Sequence, residues 1–368
     1  MKNTAPEGSG PAGGGGGAGL RPAGADAGRE GETRYLVLAE GKSSDPHFGK
    51  TARGVMRYAP EKVVALLDTE RAGETEQGFP IVGAVNDALC FNPNTALVGV
   101  ATAGGRFPPA FREQIRSCIA KGLDVENGLH EFLTADADFV ELARKYNVEL
   151  RDLRKPPPDL NVPTGENLDV PARIVLTVGT DCAIGKMTVA IELDREAKRR
   201  GIASQFVPTG QTGIAIAGWG ISVDAVVADF IAGASERLVV EGHERGGELL
   251  IVEGQGSLLH PQYSGVTLGL YHGSAPHTLV LCHHAGQRYV ADDERYPIPP
   301  LREVVELHER TALLARPARV VCVALNTRDL DDRAARRAIE AAEDGTGLPA
   351  GDPVRFGADR LVDALTGD

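Results

Sequence analysis

Only five cysteines occur in this 368-residue chain, and they lie far apart. None belongs to a CxxC pair, so the sequence predicts neither a disulfide framework nor a zinc knuckle. The chain also lacks an apolar run of the roughly 20 residues that a membrane-spanning helix needs, and its N-terminus lacks an apolar signal core. These absences together predict a protein of the reducing cytoplasm with no membrane partner.

Basic residues are in the minority, because 39 Lys and Arg stand against 51 Asp and Glu, and the formal net charge is −12. This balance argues against nucleic acid or an anionic membrane surface as the main partner. No GxGxxG motif follows the first apolar run, so nothing in the sequence supports dinucleotide binding there. The length and the 42% hydrophobic content suffice for two domains with sizeable cores.

The order of the apolar runs predicts an α/β protein with two domains. Residues 1–33 carry the run Gly13–Gly17 and few apolar side chains, which predicts a disordered Gly-rich tail. Short apolar runs such as Tyr35–Ala39 and Val63–Leu67 then alternate with helical patterns. Residues 34–158 are therefore predicted to form a Rossmann-like domain with a mostly parallel sheet.

A proline-rich linker leads into the second domain, residues 159–368, which opens on the segment VLTVGTDCAIGKMT at residues 175–188. In this segment a strand pattern runs into a Gly-rich turn and then into a helix, so that free N–H groups at the helix N-terminus would face an anion. Lys186 adds a positive charge and Thr188 a hydroxyl, which together are typical of a P-loop. We expect a P-loop NTPase-like α/β domain that binds phosphate groups.

The residue after the P-loop lysine departs from the usual motif. Nucleotide triphosphatases carry a Ser or Thr there to hold Mg²⁺, whereas this chain has Met187. A thioether is a poor ligand for a hard cation, so the sequence favours a diphosphate that is bound without metal over a phosphoanhydride that is cleaved. Recovery of the ion by Thr188 or Glu253 stays open.

Polar residues also follow the predicted strand Leu249–Val252, next to the P-loop. Glu253 stands where a Walker-B acid would sit, and it would either hold magnesium or take a proton from a substrate amine. His260, in the turn that follows, is suited to general acid or base work near neutral pH. Gly254 and Gly256 would offer N–H groups to a developing oxyanion.

Three other strand ends arrive at the same predicted edge. Gln211 and Thr212 lie in the turn TGQTG at residues 209–213 and would hydrogen-bond a ligand. Arg288 is a candidate fork for a substrate carboxylate. Asn326 follows a later strand, at a place where P-loop proteins contact the base of a nucleotide.

A group of basic residues follows the first strand of the chain. These side chains would either face a carboxylate across the cleft between the domains or form a solvated loop. The group consists of Lys42, His47, Lys50 and Arg53.

Four segments together resemble the D-glutamate N-acetyltransferase-like family: GTDCAIGKMT at 179–188, TGQTG at 209–213, EGQGS at 253–257 and HHAGQR at 283–288. The resemblance covers about residues 34 to 366. It implies a Rossmann-like domain followed by a P-loop domain, and acetyl transfer from acetyl-CoA to the amino group of an acidic amino acid such as D-glutamate. The partner it implies is a small-molecule amino acid, and a homo-oligomer is compatible with the sequence.

On this interpretation the loop holds the CoA diphosphate, Glu253 or His260 accepts the proton, and Arg288 and Gln211 orient the substrate carboxylates. Cys182, near a helix N-terminus that lowers thiol pKa, would alternatively carry the acyl group. The rival hypothesis is an ATP-dependent ligase or kinase with Mg²⁺ on Thr188 and Glu253. The predicted loop contacts are Gly179, Thr180, Asp181, Cys182, Ala183, Ile184, Gly185, Lys186, Met187 and Thr188.

Overall fold

A computed structural model describes residues 32–45, 49–102 and 105–367 of the chain. The predicted tail lies outside these residues apart from Glu32 and Thr33, and so does His47. The strands are β1 (Tyr35–Leu38), β2 (Val63–Leu67), β3 (Thr75–Glu76), β4 (Phe79–Val82), β5 (Thr95–Val98), β6 (Asp124–Asn127), β7 (Leu150–Asp152), β8 (Arg173–Gly179), β9 (Ser204–Val207), β10 (Leu249–Val252), β11 (Thr278–His284), β12 (Arg319–Asn326) and β13 (Ala350–Gly351).

Helices alternate with the strands along the chain. They are α1 (Lys50–Tyr58), α2 (Val85–Ala88), α3 (Pro109–Ala120), α4 (Ala137–Tyr146), α5 (Lys186–Arg199), α6 (Gln211–Ala217), α7 (Ile231–Glu244), α8 (Ser264–Ser274), α9 (Leu301–Thr311), α10 (Asp332–Thr346) and α11 (Asp359–Thr366). Within the described ranges, no helix is both long enough and apolar enough for a bilayer crossing.

The strands form two sheets, one in each half of the chain. The first has seven strands in the order β3-β4-β2-β1-β5-β6-β7, and the second has six in the order β13-β12-β11-β8-β10-β9. Neighbouring strands run parallel, apart from the antiparallel pair β3 and β4. This architecture confirms the prediction of a Rossmann-like domain followed by a P-loop domain.

Central strands are buried on both faces, which explains their uninterrupted apolar runs. In β1, Leu36 and Leu38 face one core, whereas Val37 faces another that includes helix α1. All three side chains are fully buried. In the second sheet, Ile174 and Val175 of β8 divide between two cores in the same way.

The two domains are joined through a common core. Ile214 and Ala215 of α6 pack into the core of the first domain. At the rim of this contact the hydroxyl of Tyr58 donates a hydrogen bond to Glu192 of α5 at 2.9 Å. The hydroxyl of Tyr35 lies 3.4 Å from the carbonyl oxygen of Ala215. Helices α1 and α6 therefore fix the first domain against the P-loop domain.

The structure corrects two expectations about secondary structure in the second domain. The predicted turn at 209–213 ends within helix α6, which begins at Gln211. The sequence also predicts a helix over Asp224–Ile231, but the structure has short 3-10 turns there, and the long helix α7 starts only at Ile231. The glycines of α7 have low helix propensity, so the sequence pattern did not indicate this helix. Gly233 is required for close packing, because a Cβ there would lie 1.7 Å from the carbonyl oxygen of Asn161.

Candidate functional site

The carboxyl ends of the parallel strands bring the predicted segments of the second domain together. Strand β8 lies between β10 and β11, so its P-loop is flanked by the segment that begins at Glu253 and by the turn after His284. Strand β9 adds Thr209, whose N–H donates to the Glu253 carboxylate at 3.0 Å. The predicted grouping of these strand ends at one edge is thus present in the structure.

The loop itself presents a row of unpaired backbone amides. Ala183 and Gly185 have φ values of 55° and 111°, which curl the chain ahead of helix α5. In the part of the chain that the structure describes, the N–H groups of residues 183–188 have no hydrogen-bond partner. Six consecutive donors at a helix N-terminus form a cradle for the oxygens of a phosphate group.

Lys186 lies beneath this cradle. Only 6% of the residue is exposed, and its ammonium donates to the carbonyl oxygen of Asp181 at 2.6 Å. Burial lowers its pKa, and the nearby Cys182, Cys282 and Asp181 act in the opposite direction. The loop therefore combines a buried cation with free amides, as the sequence predicts for a site that binds a multiply charged anion.

Neighbouring strand ends hold the loop in shape. Ser257 donates to the carbonyl oxygen of Gly179 at 2.8 Å, and Thr180 shares a hydrogen bond of 3.0 Å with Nδ1 of His283. The side-chain amide of Asn326 donates to the carbonyl oxygen of Ile184 at 3.1 Å. The structure thus gives Asn326 a bracing contact on the loop, where the sequence suggested contact with a bound base.

Asp181 is anchored by the segment that follows β11. Its carboxylate accepts 2.6 Å hydrogen bonds from the side chain of Gln287 and from the N–H of Ala291. The sequence had pointed to the adjacent Arg288, whose side chain is exposed. Gln287 was missed because two adjacent residues of a turn face different sides, and the pattern does not say which of them faces the loop.

Met187 and Thr188 face the first domain. A Cβ on Gly54 of α1 would lie 3.7 Å from the terminal methyl of Met187, so this methionine packs towards the interdomain contact. The hydroxyl of Thr188 lies near that of Tyr58 and slightly opposes the burial that raises the pKa of this tyrosine. The two positions that follow the P-loop lysine therefore lie against the first domain.

Glu253 is a buried carboxyl group at the carboxyl end of β10. It is 5% exposed, and burial raises its pKa to about 7 against the effect of hydrogen bonds from the Thr209 and Gly210 amides. Lys186 also lowers this pKa. A carboxyl group that titrates near neutral pH is suited to accept a proton from an amine.

His260 lies close to two residues of the loop. Its ligand atom and those of Asp181 and Cys182 are all within 4.8 Å of one another. Nδ1 of His260 accepts a hydrogen bond from the N–H of Gln262 at 3.2 Å, so the neutral ring carries its proton on Nε2. His260 in this tautomer is a hydrogen-bond donor through Nε2 and has no free lone pair for a base.

The pKa of Cys182, the cysteine of the loop, shifts in the direction opposite to the sequence prediction. Burial raises the pKa of Cys182, and this effect exceeds the opposing influence of Lys186 and Lys50. The net direction is opposite to the lowering that the sequence predicts from the helix N-terminus. A thiol that keeps its proton at neutral pH is a weak nucleophile, so the structure counts against a covalent acyl route.

The two glycines after Glu253 have structural roles. The N–H of Gly254 donates to Thr177 Oγ1 at 2.8 Å, and a Cβ at this position would lie 1.7 Å from the Thr177 carbonyl oxygen. The prediction that this N–H is available to an oxyanion is therefore wrong. Gly256 has a φ of 67°, and a Cβ there would lie 2.3 Å from the carbonyl oxygen of Tyr263.

Gln211 and Thr212 lie at the domain interface. The hydroxyl groups of Thr212 and Thr51 are 2.9 Å apart and hydrogen-bonded. A Cβ on Gly128 of the first domain would lie 2.9 Å from Cγ of Gln211. These contacts place the two predicted substrate-binding residues beside the first domain, with both side chains largely buried.

Charged residues of both domains meet near these contacts. We call their meeting place the interdomain cleft, and its charged and polar members are Lys50 and Arg154 of the first domain and Cys182, Asp224 and Glu253 of the second. Arg154 forms an ion pair with Asp224. Of the predicted basic group, Lys50 lies at this cleft, whereas Lys42 pairs with Asp45.

Comparisons with known proteins agree with this layout. A family model described as the P-loop domain of DUF1611, a domain of unknown function, matches residues 161–362. The model of its Rossmann-like N-terminal domain matches residues 67–156. The chain belongs to the DUF1611 family.

A DUF1611 protein of Anabaena variabilis has a similar crystal structure, with a TM-score of 0.85 and 40% sequence identity over 91% of this chain and all of the other. A relative from Tritonibacter scottomollicae named D-glutamate N-acetyltransferase is 35% identical over 335 residues, which is 91% of this chain and 98% of that relative. A Pseudoalteromonas relative of the same name is 35% identical over 76% of this chain and 83% of its own length. These names support an enzyme with an acetyltransferase-like function.

Proposed function

We propose that this DUF1611 protein transfers an acetyl group from acetyl-CoA to the amino group of an acidic amino acid, D-glutamate or a related compound. The observation that carries the proposal is the cradle of six free amides, residues 183–188, above the buried Lys186. The relatives named D-glutamate N-acetyltransferase supply the reaction class. Coenzyme A has a diphosphate that such a cradle would hold.

The donor set of the loop fits a diphosphate that needs no metal. Lys186 supplies a positive charge, and the loop amides supply directional hydrogen bonds. Met187 occupies the position of the usual magnesium ligand and packs towards the first domain. Cleavage of ATP depends on a metal ion held beside the phosphates, so this replacement favours the CoA interpretation over the ligase or kinase.

When bound, acetyl-CoA would supply an activated acyl group, and the chain would supply acid-base and positioning chemistry. The carboxylate of Glu253 would accept the proton that the substrate amine loses as its nitrogen bonds to the acetyl carbon and the C–S bond to CoA breaks, with the CoA thiol as the leaving group. Its pKa of about 7 leaves a large ionised fraction at neutral pH. Nε2–H of His260 is a donor beside the loop that would stabilise negative charge on the reacting carbonyl oxygen. This assignment divides the two predicted catalytic residues into a base and a hydrogen-bond donor.

A product assay tests the proposal. Purified protein is incubated with acetyl-CoA and a panel of D- and L-amino acids, and acetylated products are detected by mass spectrometry. We expect an N-acetyl product from D-glutamate or a related acidic amino acid in the presence of EDTA and the absence of ATP. A product that forms only with ATP and magnesium would instead support the ligase or kinase.

A further inference from the structure

The interdomain cleft contains a lysine whose charge is not balanced by a direct contact. Lys50 is the first residue of α1, and its ammonium forms no ion pair or hydrogen bond with any residue in the described ranges. The surrounding protein and the guanidinium of Arg154 lower its pKa, whereas Asp224, Glu253 and Cys182 favour its charged form. An anion that entered the cleft would give the ammonium of Lys50 a direct partner.

The position of Lys50 is fixed by the next residues of α1. Thr51 is fully buried and hydrogen-bonded to Thr212 of α6. Gly54, one turn further along, allows close approach, because a Cβ there would lie 2.7 Å from Cγ2 of Thr212. Helix α6 follows Thr209, which anchors the Glu253 carboxylate. A short chain of contacts thus connects the start of α1 with the candidate base.

The other cation of the cleft is already engaged. Arg154 donates from Nε to the carbonyl oxygen of Gly128 at 2.8 Å and forms an ion pair with Asp224. It is 8% exposed, whereas Lys50 retains access to solvent. The cleft therefore has a fixed, neutralised arginine and an accessible lysine, and the lysine is the group that a ligand can reach.

We propose that Lys50 binds a carboxylate of the amino-acid acceptor and so determines the preference for an anionic substrate. This inference rests on the proposed function. The phosphates of the donor have the amides of residues 183–188 and Lys186, all within the second domain. Lys50 comes from the first domain, and the charge of Glu253 favours its ionised form from the second.

Lys50→Met tests the proposal, with Lys50→Arg as the conservative variant and Lys121→Met as the control. Lys121 is an exposed lysine at the end of α3 and has no part in the cleft. We measure KM and kcat for D-glutamate, and we titrate D-glutamate and CoA separately into each protein by calorimetry. Lys50→Met is expected to raise KM and Kd for D-glutamate about 30-fold and to leave the Kd of CoA unchanged. Lys50→Arg should restore most of the affinity.

Two results would overturn the inference: unchanged D-glutamate affinity in Lys50→Met, or an equal loss of CoA affinity, which would assign Lys50 to the phosphates. Failure of the proposed function has a different signature, because wild-type protein would then form no acetylated product. Even in that case, the titration of D-glutamate into wild type and Lys50→Met measures whether Lys50 contributes to binding of this amino acid. If the wild-type protein neither acetylates nor binds D-glutamate, both proposals fall.

Discussion

Lys186 donates a 2.6 Å hydrogen bond to the carbonyl oxygen of Asp181, five residues earlier in the same loop. The bond holds a buried ammonium directly beneath the free amides of residues 183–188. A cation in this position is costly to bury without an anion, which makes the loop a receptor for phosphate oxygens.

Lys186→Ala should weaken CoA binding about 30-fold to 100-fold, because the variant removes the charge-assisted contact to the diphosphate. Calorimetric titration of CoA measures the change. Lys198→Ala is the matched control, since Lys198 lies on the same helix but pairs with Asp194 at the surface. Equal affinity for CoA in wild type and Lys186→Ala would show that Lys186 does not contribute to CoA binding.

Glu253→Gln should leave CoA affinity intact and reduce kcat about 100-fold, because an amide cannot accept the amine proton. In the wild type, kcat should rise with pH through about 7, where the Glu253 carboxyl group loses its proton. Glu248→Gln, an exposed position just before the same strand, serves as the control. Parallel loss of CoA binding and turnover in Glu253→Gln would argue against a role as base.

Gly54→Ala should lower the free energy of unfolding by roughly 1–3 kcal/mol, because the new Cβ would lie 2.7 Å from Cγ2 of Thr212 in a packed interface. Gly345→Ala, in an open position within α10, should have the opposite sign, since alanine favours the helix. Chemical denaturation of both variants gives the comparison. If Gly54→Ala matches or exceeds wild-type stability, the close contact between α1 and α6 is not tight.

Acid should destabilise the fold through His308. Burial lowers its pKa to about 4, and neither ring nitrogen has a partner among the described residues. The folded state therefore takes up the proton at lower pH than the unfolded state. Stability from this group is present above about 6.5 and is lost as the pH falls towards 4, by up to roughly 3 kcal/mol.

His308→Leu should flatten this part of the pH profile of unfolding free energy and raise stability at pH 5. The exposed His272→Asn, on the other side of Tyr271, should leave the profile unchanged. His283, whose pKa is also lowered to about 4 by burial and by His284, would maintain part of the acid dependence in His308→Leu. An unchanged profile in His308→Leu would show that His308 is protonated as easily in the folded as in the unfolded state.

Sequence patterns predicted the fold and the phosphate cradle because both depend on local signals. The strands Val63–Leu67 and Leu249–Val252 occur with the predicted bounds, since their apolar runs are buried on both faces. The P-loop is predicted from residue types at fixed spacing. Met187 gives information about metal binding because it directly follows Lys186, where nucleotide triphosphatases carry a Ser or Thr that holds Mg²⁺. These features require no knowledge of what packs around them.

Side-chain direction at the strand ends was harder to predict, because tertiary packing decides it. Gln287 rather than Arg288 reaches Asp181, and the N–H of Gly254 is used by Thr177. Arg154 pairs with Asp224, which lies 70 residues away in the sequence. Each of these outcomes depends on contacts between distant segments, which one sequence does not display.

The most direct test of the central claim is calorimetric titration of the purified protein with CoA in EDTA and with ATP in magnesium. The cradle of amides and its lysine should bind CoA without a metal ion, and ATP turnover should be absent. If the protein does not bind CoA but hydrolyses ATP in a magnesium-dependent reaction, the claim that the loop binds CoA without a metal ion is contradicted.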